Sequence, residues 1–341
     1  MEREPVLVDL AFQGGGSHGA FTWGVMDRLL EETWLEIEGI SGTSAGAMNA
    51  AVVADGYAAG GREGARKALD AYWKNVSEAA RFSPFKRTPL DRMLGRWTLD
   101  SSPIFNMVDL MTRMFSPYQF NPGGSNALAP ILDAHLDFER LRHSPIKVFI
   151  TATNVRTGRP RIFRNADLTP EVLMASACLP NLFQAVEIDG EAYWDGGYSG
   201  NPTLAPLVGE LKSDDTILIP INPVERPGTP KAPHEILNRL NEISFNGVLI
   251  KELYMMALLR RNAAALTGDS ESCEWARMRV HIVRNTVMSK LGYSSKLSAE
   301  WDFLSMLKQE GRKAAEAFLI EHGHDLGKTS TLDIDQLIAE L

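Results

Sequence analysis

Two glycine turns, each set between a strand-like run and a helical stretch, constrain this chain more than any other feature. Val6–Phe12 is short and mostly apolar, the pattern of a strand buried on both faces of a parallel sheet. Gly14-Gly15-Gly16 stops it. Residues 20–31 then carry helical spacing, with Phe21, Val25 and Leu29 on one stripe. Residues 35–40 read as a second strand, which runs into Ser41-Gly42-Thr43-Ser44-Ala45-Gly46, and an alanine-rich helix is expected over 45–54. A βαβα start of this kind predicts an α/β fold with helices packed on a largely parallel sheet.

The pattern breaks over residues 77–130, which are rich in Pro, Met and aromatic residues, among them Phe85, Met93, Trp97, Phe105, Met111 and Phe120. A helical insertion that caps the site is expected there. Residues 147–153 return as a strand and 171–177 as a helix. Residues 185–188 and 191–194, joined by Asp189-Gly190, read as a hairpin. Residues 216–221 are a further strand. After a proline-rich link over 223–233 the chain reads as helical, with Leu240, Ile243, Gly247, Ile250, Tyr254 and Ala257 on one stripe and Trp301, Leu304 and Leu307 on another. Ser330 to Asp333 fits a capping box for a final short helix. The expected division is a domain over 1–225 and a helical extension over 226–341.

Composition excludes several classes. A chain of 341 residues with 44% apolar and 23% charged residues is an ordinary globular protein. Its net charge of −8 argues against nucleic acid, which needs clustered Lys and Arg. Cys178 and Cys273 are too few for a disulfide framework and have no metal-ligand neighbours in sequence. Met1 to Pro5 lacks the character of a secretory signal, and no uncharged stretch is long enough to span a membrane. A cytoplasmic protein is expected, meeting a membrane only from its inner surface. No metal and no cofactor are expected, and nothing sets an oligomeric state.

Three motifs carry chemistry. In Gly42-Thr43-Ser44-Ala45-Gly46, a sharp strand-to-helix turn would expose the hydroxyl of Ser44, with Gly42 and Gly46 where the turn is crowded. The other reading is a tight turn with a capping serine. Gly14-Gly15-Gly16-Ser17-His18-Gly19 also matches the dinucleotide pattern Gly-x-Gly-x-x-Gly, but strand two ends in the serine turn rather than in the acidic residue a ribose needs. Its better reading is an oxyanion hole built from backbone N–H groups. His18 is a candidate base or substrate contact, or a loop imidazole. Asp195-Gly196-Gly197 alone is an ordinary turn.

Together these motifs make the chain resemble the patatin-like phospholipases over residues 6–223. Met174-Ala175-Ser176-Ala177-Cys178-Leu179-Pro180 is similar to the family's Ala-Ser-Ala-x-x-Pro helix end, and Asn201-Pro202 fits as well. The resemblance implies a three-layer α/β/α sandwich with a Ser–Asp dyad and no catalytic His. Ser44 would be the nucleophile and Asp195 the base; Gly14, Gly15 and Gly16 would form the oxyanion hole, with Gly196 and Gly197 supporting the Asp turn. A phospholipase A-type carboxylic ester hydrolase acting through an acyl-serine follows, its substrate a lipid or another acyl ester. His18 stands where many members carry Arg or Lys.

Three alternatives stay open. An α/β-hydrolase esterase would use a late His, from among His281, His322 and His324. A nucleotide-binding protein would use the glycine loop, and a scaffold would use the C-terminal helices. Residues 81–97 add a membrane question. Arg81, Lys86, Arg87, Arg92 and Arg96 face only Asp91 there, interleaved with Phe82, Phe85, Leu90, Met93 and Leu94. Either this segment touches anionic lipid or it packs on the body with its charges solvated.

Overall fold

The computed structural model of the chain describes residues 3–262 and 271–333. Strand β1 (Val6–Phe12) leads through the glycine loop to helix α1 (Gly19–Leu29), then to β2 (Leu35–Gly42) and α2 (Ala45–Ala79). Helix α2 is far longer than the expected 45–54, and Gly60-Gly61 breaks it: Gly61 sits at φ 62°, a left-handed backbone that glycine adopts readily. The insertion follows, as short helices α3 (Pro89–Met93), α4 (Pro103–Met114), α5 (Pro117–Phe120), α6 (Ala129–His135) and α7 (Phe138–Arg142). The chain then makes β3 (Lys147–Asn154), β4 (Pro160–Arg164), α8 (Pro170–Ser176), the hairpin β5 (Val186–Ile188) and β6 (Glu191–Asp195), α9 (Ala205–Glu210) and β7 (Asp215–Ile219). It closes with α10 (Pro233–Arg261), α11 (Glu271–Arg277), β8 (Arg279–Ile282) and α12 (Trp301–His322).

The strands form one sheet in the order β5-β6-β3-β2-β1-β7-β8, with β4 pairing β3 outside that path. Pairs β1–β2, β2–β3, β1–β7 and β7–β8 are parallel, while β3–β4, β3–β6 and β5–β6 are antiparallel. Side chains alternate into two cores, as strand pleating requires. Leu10, Phe12, Val148, Ile150, Ile217 and Ile219 face one core with α1, α2 and α12. Ala11, Phe149 and Leu218 face the other, against Leu207 of α9, Leu249 and Leu253 of α10 and Trp275 of α11. The result is a three-layer α/β/α sandwich.

The segment after residue 225 differs from a separate helical extension. β8 is a parallel strand of the main sheet, and α12 packs on α1 so closely that a Cβ on Gly24 would lie 1.9 Å from Lys308 O. The boundary expected at 225 therefore divides one packed unit. The stripe expected on α10 also differs. Leu240, Ile243 and Ile250 are exposed, and Phe245, Leu249, Leu253 and Met256 form the buried face. This helix is apolar on two faces, so periodicity alone does not say which one meets the sheet. The final helix expected after Ser330 lies outside the described residues.

Candidate active site

The glycine loop and the serine turn lie at the carboxyl ends of neighbouring parallel strands, where ligands of open α/β sheets gather. Phe12 pairs with Gly42, so the two turns leave the sheet at one level. Ser44 has φ 55° and ψ −121°, a conformation sparsely populated for a residue with a side chain, costing of order 1–3 kcal/mol. Its neighbours explain how the turn survives. A Cβ on Gly46 would lie 2.3 Å from Phe12 O, and one on Gly42 would lie 2.5 Å from Gly46 O. Both glycines are present for close approach, since neither has a positive φ. Ser44 N–H donates to Ser176 Oγ at 2.9 Å, and Ser176 Oγ donates to Thr151 O at 2.7 Å. Ser176 thus anchors the turn from α8.

Asp195 reaches the same edge from an antiparallel strand. β6 pairs Asp195 with Ala152, two residues beyond Ile150, the partner of Gly42. Gly196 and Gly197 then let other chains close in: a Cβ would lie 2.0 Å from Thr151 O at the first and 2.3 Å from the Phe245 ring at the second. Asp195 is buried, and its Oδ1 accepts the Gly197 N–H at 2.7 Å. Ser44 lines the same cleft and acts on this carboxyl. Burial pushes this carboxyl up to about 7, against the pull of Gly197, Ser44 and Lys296.

The three loop glycines are not equivalent. Gly14 N–H donates to Asn201 Oδ1 at 2.7 Å and is thus engaged within the protein, whereas Gly15 and Gly16 line the cleft beside Ser44. Gly16 has φ 58°, and a Cβ there would lie 2.4 Å from Lys296 O, so only glycine fits. Beneath the loop is a buried amide cluster. Asn222 Nδ2 donates to Gly14 O at 2.7 Å, and Gln13 Oε1 accepts from Ile221 N and Asn222 N at 3.0 Å each. Asn201 is the residue of the Asn201-Pro202 match, whereas Asn222 gave no motif signal of its own.

His18 is withdrawn from the cleft. It is buried, its Nε2 bonds Ser295 Oγ at 2.8 Å, and its ring meets Phe303 edge-on. Burial, reinforced by Lys296 and Arg226, holds it well below the usual histidine range, so it is neutral. It is therefore in no position to touch substrate or to serve as a base at Ser44. The late histidines are elsewhere too. His281, within β8, bonds Asp215 at 2.9 Å at the opposite, amino-terminal end of β7, and His322 and His324 lie at the end of α12.

A narrow cleft joins these parts, lined by Gly14, Gly15, Gly16, Ser44, Leu179, Asp195, Gly197, Asn201, Phe245, Tyr293, Lys296 and Leu297. Four of the lining residues come from beyond residue 225. A family model for patatin-like phospholipase matches residues 10–208. The chain belongs to the patatin-like phospholipase family. That membership supports a lipid hydrolase. No curated protein matches the chain.

Among solved structures, VipD from Legionella pneumophila is similar at 14% identity, over 94% of this chain and 67% of that one, with a TM-score of 0.43. The type III effector ExoU is similar at 16% identity, over 93% of this chain and 54% of its own, with a TM-score of 0.32. ExoU in complex with SpcU from Pseudomonas aeruginosa gives 16% identity, 98% and 74% coverage and a TM-score of 0.31. The chain thus spans about half the length of the first ExoU structure. Among the described residues, no helix is long and apolar enough to cross a membrane.

Proposed function

We propose that this patatin-like protein is a lipid acyl hydrolase working through a Ser44–Asp195 dyad. One observation carries the reading: a buried carboxyl and a serine held in a strained turn line one narrow cleft together with Gly15 and Gly16. A serine hydroxyl needs aim, a base and a place for developing charge. An ordinary Asp, titrating near 3.9, is a weak base at neutral pH. Asp195, held up at about 7, is matched to the task.

The steps follow from this arrangement. Asp195 takes the Ser44 proton as Oγ attacks the acyl carbonyl carbon, and the carbonyl oxygen becomes an oxyanion facing Gly15 and Gly16. Collapse breaks the ester bond, and protonated Asp195 gives its proton to the departing alkoxide. Water then attacks acyl-Ser44 with Asp195 again as base, releasing the fatty acid and restoring Ser44. Neither His18 nor any late histidine enters.

The cap supports contact with an anionic membrane through residues 81–97. Arg87 and Arg92 pair with Glu300 at 3.1 and 3.0 Å, and Arg87 lies 3.8 Å over the Trp97 ring. Arg81, Lys86 and Arg96 stay exposed, as do Leu90, Met93 and Leu94. Five basic side chains, with Glu78, Glu300 and Asp302 among them, rim a hollow of about 720 Å³ between α2, the cap and the start of α12. Helix α4 extends the apolar surface, with Ile104, Met107, Leu110, Met111 and Met114 exposed along one stripe.

The test compares the wild type with Ser44→Ala and Asp195→Asn on a chromogenic acyl ester and then on a panel of phospholipids and glycerides. Hydrolysis confined to the wild type is expected; turnover that survives Ser44→Ala sinks the dyad. Flotation with vesicles, with and without anionic lipid, tests the cap. Equal binding to both removes the charge argument.

A further inference from the structure

The cleft holds a third ionisable group that the steps above leave idle. Lys296 lies in the turn Ser294–Leu297, is only 7% exposed and lines the cleft with Ser44 and Asp195. A lysine buried this deeply is ordinarily paired. Among the described residues, no carboxylate lies within ion-pair distance of it. Glu242 is taken by Arg226 at 2.6 Å and Arg239 at 3.2 Å, and Asp195 accepts the Gly197 N–H. Lys296 Nζ donates to Asn222 Oδ1 at 2.7 Å and stands 5.8 Å from the centre of the Phe245 ring. An ammonium has three N–H donors.

The place of that charge is informative. Asn222, which holds Nζ, also holds the glycine loop through Gly14 O. The main-chain oxygen of Lys296 abuts Gly16. The ammonium is therefore moored beside the loop, and the loop has no cation of its own because His18 is neutral. In a site shut off from water, a preplaced donor acts most strongly on charge that appears during the reaction.

We propose that Lys296 is a catalytic residue whose ammonium, with the N–H groups of Gly15 and Gly16, donates to the acyl carbonyl oxygen as negative charge builds there. The inference rests on the Ser44–Asp195 reading. The groups facing Lys296 are Asp195 from the end of β6, Glu242 of α10, Arg226 of the preceding link, Tyr293 of its own turn and His18 of the loop. Burial brings the Lys296 ammonium down to about 8, and burial holds Asp195 up at about 7. The working state, carboxylate with ammonium, thus occupies a narrow band between two titrations that belong to the pair.

The experiment uses p-nitrophenyl butyrate, an uncharged ester with no head group, and a fluorophosphonate that labels the serine. In Lys296→Met, kcat should fall about 10²–10³-fold, the typical effect of losing an oxyanion donor, with KM changed less than about threefold. The fall should persist at every pH, and the alkaline limb near 8 should vanish. Labelling of Ser44 should slow in parallel, because its tetrahedral adduct draws on the same donors. Lys296→Arg should keep part of the activity and move the alkaline limb upward, which keeps the test usable if the Met variant misfolds.

Unchanged kcat on the uncharged ester overturns the proposal. So does recovery of wild-type kcat by Lys296→Met at high pH, which would mean that Lys296 acts only by keeping Asp195 ionised. Failure of the wild type to be labelled at Ser44 defeats the dyad itself. Equal labelling of the wild type and Lys296→Met defeats only the role of Lys296.

Discussion

The two ends of the sheet hold similar groups with opposite outcomes. At the amino-terminal end of β7, Asp215 accepts from Arg279 at 2.5 Å, from His281 at 2.9 Å and from the Gly327 N–H at 2.9 Å. These donors outweigh the effect of burial and hold it down at about 2. At the carboxyl end, Asp195 is also buried, but the Gly197 N–H is its one hydrogen-bond donor among the described residues, with Ser44 and Lys296 adding only weaker pulls. Burial wins there, and the carboxyl rises to about 7. Whether a buried Asp titrates low or near neutrality thus follows how many donors surround it.

Measurements at both ends can break or sharpen this contrast. The largest expected effect is that of Ser44→Ala, which should lower kcat/KM on an acyl ester by at least 10³-fold; a smaller loss separates the strained turn from the chemistry. Asp195→Asn should come next, with a loss of about 10²–10⁴-fold, the range for removing a general base. Its stability should move the other way. Because the folded pKa of Asp195 lies above the unfolded one, its favourable contribution is complete below about 4 and is lost as pH rises through about 7. The Asn variant escapes that loss, so thermal unfolding at pH 8 should show a higher Tm than the wild type. A lower Tm at pH 8 contradicts the raised pKa. The pH profile of kcat/KM in the wild type should accordingly rise through about 7, and a profile flat from pH 5 to 8 assigns the base elsewhere.

At the other end the effects should fall on folding. Asp215→Ala leaves Arg279 and His281 without their partner and should cost about 3–5 kcal/mol in denaturant unfolding. Its kcat should stay within twofold at temperatures where the protein is folded. His281→Ala should have the smallest effect on activity, and a collapse of turnover in folded His281→Ala restores the triad reading.

Legibility in the sequence follows the same divide. The βαβα start is readable because buried parallel strands form uninterrupted apolar runs and because Gly42 and Gly46 accompany a serine turn. Asp195 is readable through its company, the Asp189-Gly190 hairpin before it and Gly196-Gly197 after it. β4 escapes notice because Pro160, Arg161 and Arg164 give a strand paired on one side no apolar signature. Lys296 is unreadable for another reason. Ser294-Ser295-Lys296-Leu297 looks like a solvated turn, and only the packing of Phe245 and the glycine loop around it turns a surface residue type into a buried ammonium. His18 errs in the other direction: its motif position suggests access, and its partner Ser295 comes from the same late segment that closes it off.

The close fit of α12 against α1 bears on how the protein comes to life. Gly311 lies so near α1 that a Cβ there would sit 2.1 Å from Phe21 O, and Lys296 lies just before that helix. Ser44 and Asp195 both leave the ribosome well before them. A growing chain thus carries Ser44 and Asp195 for much of its synthesis without the wall that finishes the cleft. Emergence of the segment that carries Tyr293, Lys296 and Leu297 is in this sense the event that closes the cleft.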